Sequence, residues 1–534
     1  MEIQGIDTVI DKGRLTALKR NLDDIFSMER RELTGPWLLA FVVVAFLVRL
    51  PLVFFPEVVY NDGVEYARIA RHILGGNWSE GFVPPVYPAL MAALGFIVRD
   101  FELAGILVSL FFGAAIILPV YHFTKVLFDG RTAIIAAIFA VFQPLFFAYS
   151  GSVLTESTYY FIVAMTALFG WLAFAKGRVV HILLFSLLTA LAYLTKPEGI
   201  GFLLVFLVWV VCINPPGLDK RRFRTRVWMA ILALACFIII SFPYLAQIRK
   251  DLGSWHISKK ATVSIGTLQQ EEEDGARESA QQFPKRRVDI STVAKNPFSL
   301  LAKVSLGFLE GLFKFQQGFT PYLFFFATIG FLVKINGHYP WKPNLYIITH
   351  VLFFFGFVLS FFWITKRYTS QMMPMVLPWA AWGFWNVVSW SSGRLKKRQV
   401  EWKGFNAVCL GLIVLALLTQ GVLSTGRGHR QIQKDVGLWM KENLPRNAKL
   451  MSRLPQEGFY AQMPWTRIKK NTYGEILVDA RSQGVKYLVI DEAVFNDAKD
   501  FRENIAKGDL FLVKEWKRGN RQIFLFRAII PEDS

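Results

Sequence analysis

A small set of acids and bases in this chain stands where a membrane would make charge expensive. Asp62 and Glu65 open the stretch Asn61-Asp62-Gly63-Val64-Glu65-Tyr66, which follows the first apolar run. Glu156 begins another apolar run in Val153-Leu154-Thr155-Glu156-Ser157, and Lys196-Pro197-Glu198-Gly199 forms a tight turn between two more. Arg249 with Lys250, and Lys366-Arg367-Tyr368, complete the set. A mid-membrane ion costs roughly 2.5–3.5 kcal/mol on insertion scales, so function or pairing must offset it. Asp62 lies about six residues past Leu52, Val53, Phe54 and Phe55, near lipid-headgroup depth. A lipid-linked phosphate lies at that depth too. Acids beside bases there suit a reaction on such a phosphate. Arg or Lys holds the phosphate through charge-assisted bonds, and a carboxylate takes a proton from the attacking group. Structural roles compete with this reading. Asp62 is a good N-cap for a helix beginning at Val64, Glu156 has Arg49 as a candidate ion-pair partner, and Lys366 and Arg367 are placed to anchor a helix at the interface.

The elements that must position these residues are membrane helices. Of the 534 residues, 53% are hydrophobic and 15% aromatic, and the mean hydropathy is +0.36, too apolar for a soluble protein of this size. Candidate spans fall near 36–56, 103–124, 132–149, 154–175, 179–195, 199–214, 227–248, 319–334, 344–364, 372–390 and 404–423. The expected class is a mostly α, polytopic membrane protein of about eleven spans, with a structured first outer loop and a small extracytoplasmic α/β domain at the C-terminus. A polar N-terminal segment and Arg49 inside the first span fit a retained helix better than a cleaved signal peptide.

The net charge of +20 reports topology rather than nucleic-acid binding. Basic residues collect in alternate loops, from Lys12, Arg14, Lys19 and Arg20 through the run Lys220, Arg221, Arg222, Arg224 to Arg394, Lys396, Lys397 and Arg398. By the positive-inside rule these loops are cytoplasmic, and an odd span count then puts the N-terminus inside and the C-terminus outside, the membrane being expected to be the cytoplasmic one. Cys212, Cys236 and Cys409 all sit in or at the ends of apolar spans, so no disulfide framework is expected.

Three segments flank the bundle or interrupt it. Residues 1–34 read as a cytoplasmic amphipathic helix on the inner surface, with Ile10, Leu15, Leu18, Leu22, Ile25 and Phe26 at near-helical spacing. A second insertion, near 249–318, has a polar, mobile middle from Gln269 to Arg287 and an interfacial helix from Phe298 to Phe315. Residues 35–424 would be the membrane catalytic domain and 425–534 the extracytoplasmic domain. In the latter, helices are expected near 430–443 and 473–483, a strand at Tyr487-Leu488-Val489-Ile490, and a hairpin turning at Lys517-Arg518-Gly519-Asn520. A scaffold or acceptor-docking role suits it.

The order of these features resembles the GT-C type of membrane glycosyltransferases, in the branch of protein O-mannosyltransferases and aminoarabinose transferases that use polyprenyl-phosphate sugars. The matching features are Asp62, Tyr66, Ala70 and Gly75 in the first loop, then Pro84-Pro85-Val86-Tyr87-Pro88, Glu156 at the mouth of a span, and Lys196 to Gly199. Arg367-Tyr368 followed by Pro374 and Pro378 completes the series, and the resemblance covers roughly residues 35–420. It implies transfer of a sugar from a polyprenyl phosphate such as undecaprenyl phosphate to a protein, lipid or glycan acceptor at the outer membrane face. Asp62 would be the catalytic acid or base, with Glu156 positioning sugar or acceptor. Lys196, Arg249 and Arg367 would bind the donor phosphate, and Glu65, Tyr66, Tyr87 and Tyr368 the sugar or acceptor. A divalent metal near Asp62 is the one cofactor the resemblance leaves open. Many relatives have Asp-Glu where this chain has Asp62-Gly63, so Glu65, one turn on, is the only nearby substitute for the second acid. Two other readings use the same charges. A lipid-sugar flippase would line a headgroup path with them but would be expected to show repeated halves, and none is visible. A membrane assembly scaffold would tolerate Asp62→Asn.

Overall fold

The computed structural model describes residues 35–77, 83–214, 223–259, 297–334, 340–358, 364–397, 404–424, 431–470, 472–498, 500–505 and 508–529. The expected N-terminal amphipathic helix and the polar segment Gln269 to Arg287 lie outside these residues. What is described is mostly helical, and a helix lies in the described part of each expected apolar run. Five of them are long and apolar enough to cross a membrane: Gly35–Phe54, Phe101–Leu127, Glu156–Lys176, Phe223–Leu252 and Phe405–Ser424. A sixth is reached if the pair Gly130–Phe142 and Pro144–Ser150, bent by 51° at Gln143, counts as one span. Pro144 starts the second piece because proline is tolerated at a first helical position but breaks a helix interior.

The interior of the bundle is aromatic. Trp171, Phe174, Trp209 and Tyr346 meet in edge-to-face and tilted pairs, with ring centroids 5.1–5.9 Å apart. The first helix, α1 (Gly35–Arg49), buries Arg49 completely. Its guanidinium is satisfied locally, by Ser150 Oγ at 3.1 Å and the carbonyls of Ala45 at 3.2 Å and Ala140 at 3.3 Å. Arg49 is therefore not the partner of Glu156.

Two helices lie between the first span and the second. Helix α2 (Asn61–Leu74) carries Asp62, and α3 (Val86–Val98) is the short apolar run after the prolines. Its buried residues Tyr87, Pro88, Met91, Ala92 and Gly95 make it part of the packed structure. A helix over Pro297–Phe319 covers the expected interfacial segment.

A five-stranded sheet follows the last apolar helix. Its order is β2-β1-β3-β5-β4, with β1 (Leu450–Ser452), β2 (Trp465–Arg467), β3 (Tyr487–Asp491), β4 (Leu510–Arg518) and β5 (Arg521–Ala528). Strand β1 runs parallel to β2 and β3, while β5 is antiparallel to β3 and β4. The β4–β5 hairpin closes at Gly519-Asn520, with Arg518 paired to Arg521 and Gly519 at φ 58°. One side of the sheet packs on Tyr473, Ile476, Leu477, Phe495 and Phe501, the other on Ile432, Val436 and Met440.

Candidate active site

Four of the charged residues singled out above meet at one point. Glu156 is the first residue of α4 (Glu156–Lys176), and its side chain is fully buried. Lys196 stands at the end of the turn after α5 (Val179–Tyr193) and places Nζ 2.7 Å from Glu156 Oε1. Arg367 lies on the short helix α6 (Lys366–Thr369), where Thr365 accepts the Tyr368 N–H as N-cap. Its guanidinium faces two carboxylates at once. Nε and Nη2 reach Glu156 Oε1 and Oε2 at 2.5 and 3.3 Å, and Nη1 reaches Asp62 Oδ2 at 2.8 Å. Only a planar fork can serve two carboxylates in this way, so a lysine would not replace it.

Burial differs across the cluster. The Asp62 side chain is 32% exposed and Arg367 23%, against 0% for Glu156. Asp62 is thus the carboxylate that an entering molecule can reach. Burial alone would lower the Arg367 pKa, but Glu156 and then Asp62 outweigh it, raising it well above the ordinary guanidinium value. The guanidinium is held charged. The four formal charges sum to zero, which lets the group persist in a poorly hydrated place.

The local sequence explains two of these placements. Helix α2 begins at Asn61, so Asp62 is in its first turn and is not its N-cap; the N-cap is Tyr60, with no side-chain bond to the helix. The capping role expected for Asp62 is corrected accordingly. Gly63 lets that turn press against its neighbours, because a Cβ there would stand 2.6 Å from the Val153 carbonyl oxygen and 2.8 Å from Val59 Cγ1. This is why the acid found next to the first Asp in many relatives has no room here. Gly63→Ala is expected to destabilise the protein by about 1–3 kcal/mol through overpacking; a thermal midpoint equal to wild type would count against so close an approach. Gly199 does the same for the Lys196 turn, since a Cβ would lie 2.4 Å from the Ala192 carbonyl carbon.

The other candidates divide. Tyr66 is buried on α2 with its ring edge against Tyr87, centroids 5.3 Å apart. Burial first, then Asp62, push its hydroxyl well above the usual phenol pKa. Tyr368 lies within cation–π range of the cluster, with Lys196 Nζ 5.7 Å from its ring centroid. Glu65 is paired on its own helix with Arg68, at 2.7 and 3.0 Å. Tyr87 is not brought to the cluster: its hydroxyl is 3.1 Å from the Gly105 carbonyl and 3.0 Å from Ser109 Oγ. Arg249 is not brought there either. It is exposed near the end of the 30-residue helix Phe223–Leu252 with its guanidinium 4.7 Å from the Trp255 ring centroid, and among the described residues it makes no hydrogen bond or ion pair with the cluster.

Sequence reasoning passed over what lies around these charges. The Tyr160 hydroxyl, one turn past Glu156, hydrogen-bonds Ser370 Oγ, one turn past Arg367. Spacing of four residues from Glu156 and three from Arg367, about one helical turn in each case, was the available signal. Among the described residues no group of three His, Cys, Asp or Glu is placed to hold a metal. Asp62 and Glu156 share the Arg367 guanidinium.

Residues 83–245 match the family described as dolichyl-phosphate-mannose-protein mannosyltransferase. No curated protein matches the chain in sequence. Among solved structures, the fold is similar to that of ArnT from Cupriavidus metallidurans bound to undecaprenyl phosphate, with TM-score 0.59, 14% identity, and 92% of this chain and 98% of that one covered. It is also similar to the archaeal oligosaccharyltransferase AglB from Archaeoglobus fulgidus, in complex with an inhibitory peptide and a dolichol-phosphate, with TM-score 0.50, 14% identity, and 91% and 74% covered. The chain is therefore a membrane protein whose residues 83–245 match the dolichyl-phosphate-mannose-protein mannosyltransferase family and whose fold is similar to those of ArnT and AglB.

Proposed function

We propose that this chain is a glycosyltransferase that moves a sugar from a polyprenyl-phosphate carrier to an acceptor at the outer face of the cytoplasmic membrane. The observation that carries this reading is Arg367 held between a reachable Asp62 and a buried Glu156, with Lys196 on the same Glu156 oxygen. The family match and the shared fold support the reaction class. In this reading the N-terminus is cytoplasmic, residues 35–424 form the catalytic domain, and residues 425–534 lie outside.

The arrangement suggests how donor binding prepares the base. A carrier phosphodiester brings one negative charge to a group of four charges that already sum to zero, so it must draw a cation off a carboxylate. The weaker hold of Arg367 is its one bond to the partly exposed Asp62, whereas Glu156 is buried and held by both Arg367 and Lys196. Phosphate binding therefore turns Arg367 toward the donor and releases Asp62 from that ion pair. The acceptor's O–H or N–H gives its proton to Asp62 as its lone pair forms the new bond to the anomeric carbon. The C–O bond to the phosphate breaks, the electron pair leaves with the polyprenyl phosphate, and Arg367 and Lys196 stabilise that charge. A single displacement inverts the anomeric centre. Tyr66, Tyr368 and Glu65 border the space where sugar or acceptor would sit. Tyr87 and Arg249 take no part.

The test is reconstitution in liposomes with a radiolabelled polyprenyl-phosphate sugar and crude membrane extract as acceptor source. Label should leave the carrier in a protein-dependent way. Labelled lipid crossing the bilayer with no label leaving it would instead identify a flippase, in which the same charges line a headgroup path.

A further inference from the structure

Helix α2 starts without a side-chain cap of its own: Tyr60 supplies none, although the first N–H groups of a helix have no partners within it. What holds the backbone ahead of Asp62 comes from the C-terminal sheet unit, some four hundred residues away in sequence. Helix α7 (Gln431–Asn443) precedes β1, and α8 (Gln456–Ala461) follows it. From α8, Gln456 donates Nε2–H to the Val59 carbonyl at 3.0 Å and to Asn61 Oδ1 at 2.6 Å. The Tyr460 hydroxyl, one turn on, accepts the Val59 N–H at 3.0 Å and donates to Glu102 at 2.9 Å. Val59, Gln456 and Tyr460 are all buried. The far end of α2 is gripped as well, because Arg71 lies between the rings of Phe101 and Phe459, 5.0 and 5.6 Å from their centroids. Lys434 on α7 joins the interface more peripherally, with Nζ 2.9 Å from Glu102.

We infer that Gln456 is a positioning residue for Asp62: by bonding both Val59 and Asn61 it fixes the first turn of α2 and thereby keeps the Asp62 carboxylate in register with Arg367. This rests on the glycosyltransferase reading, and it gives one residue of the C-terminal unit, Gln456, a part in positioning the site. The size of the effect follows from geometry. A displacement of about 1 Å at a reacting group costs on the order of 100-fold in rate, and three hydrogen bonds from one short helix hold Val59 and Asn61, just ahead of Asp62, against such a shift.

Gln456→Met tests this in the full-length protein, since it keeps the side-chain length and removes the donors. In the liposome assay kcat should fall about 10- to 100-fold while KM for the donor stays within about twofold, because the phosphate is held by Arg367 and Lys196. Amide exchange across residues 61–66 should speed up while β1 to β3 keep wild-type protection. Lys434→Ala, which loosens the same interface without touching Val59 or Asn61, should leave kcat near wild type. Wild-type kcat and wild-type exchange in Gln456→Met would overturn the inference. So would an equal loss of kcat in Lys434→Ala, which would assign the effect to docking as a whole. If the wild type itself transfers no sugar, the glycosyltransferase reading falls, and the exchange at residues 61–66 alone decides whether Gln456 holds α2.

Discussion

Arg367→Ala is expected to lower sugar transfer by about 100- to 1000-fold, the loss typical when one donor to a developing negative charge is removed. Arg367 makes three of the bonds in the cluster, to Glu156 and Asp62. Its loss leaves Lys196 as the only described cation bonded to Glu156 and removes the group that couples phosphate binding to the release of Asp62. Arg367→Lys should recover little, because an ammonium cannot span two carboxylates with a planar fork. Steady-state transfer rates at matched folded protein check both variants. Activity of Arg367→Lys within a few-fold of wild type would show that charge alone suffices and that the fork geometry has no role.

The second large effect is on stability. Glu156→Ala removes the carboxylate that compensates Lys196, whose side chain is only 10% exposed, and half of the partners of Arg367. Breaking a buried pair by deleting one partner costs about 3–5 kcal/mol, because a charge remains buried without compensation. The double variant Glu156→Leu with Lys196→Met should recover most of that loss, since an apolar replacement of a whole buried pair is close to neutral. It should not recover transfer. Thermal unfolding of Glu156→Leu, Lys196→Met and the double variant measures the coupling. Additive losses would mean that the two side chains do not share their energy in the folded protein.

The positions of the site residues were legible because charge at the end of an apolar run stands out at any reading of the sequence. Asp62, Glu156, Lys196 and Arg367 are all of this kind, and they are the four that meet. Which of them pair was not legible. Glu156 had Arg49 as a plausible partner, but Arg49 faces Ser150 and two carbonyls inside the bundle, a choice that depends on how helices pack. Arg249 looked equivalent to Lys196 by its place after a span, yet the helix that carries it runs to Leu252 and delivers it to Trp255. In the C-terminal unit, β3, the hairpin and the two long helices followed from periodicity and turn residues. Strands β1 and β2 did not, because three residues each are too few to show an alternating pattern. Nothing local marks Gln456 either. Its partners Val59 and Asn61 are 397 and 395 residues away.

The central claim, that Asp62 is the base for sugar transfer, is tested most directly by single-turnover release of sugar from a labelled polyprenyl-phosphate donor, comparing wild type with Asp62→Asn at equal folded amounts. Asparagine keeps an oxygen for the Arg367 bond but cannot take a proton at neutral pH. The account predicts donor binding close to wild type and a transfer step slower by about 100- to 10,000-fold, the contribution of a positioned general base. Transfer by Asp62→Asn at the wild-type rate would contradict it and leave Asp62 a structural partner of Arg367.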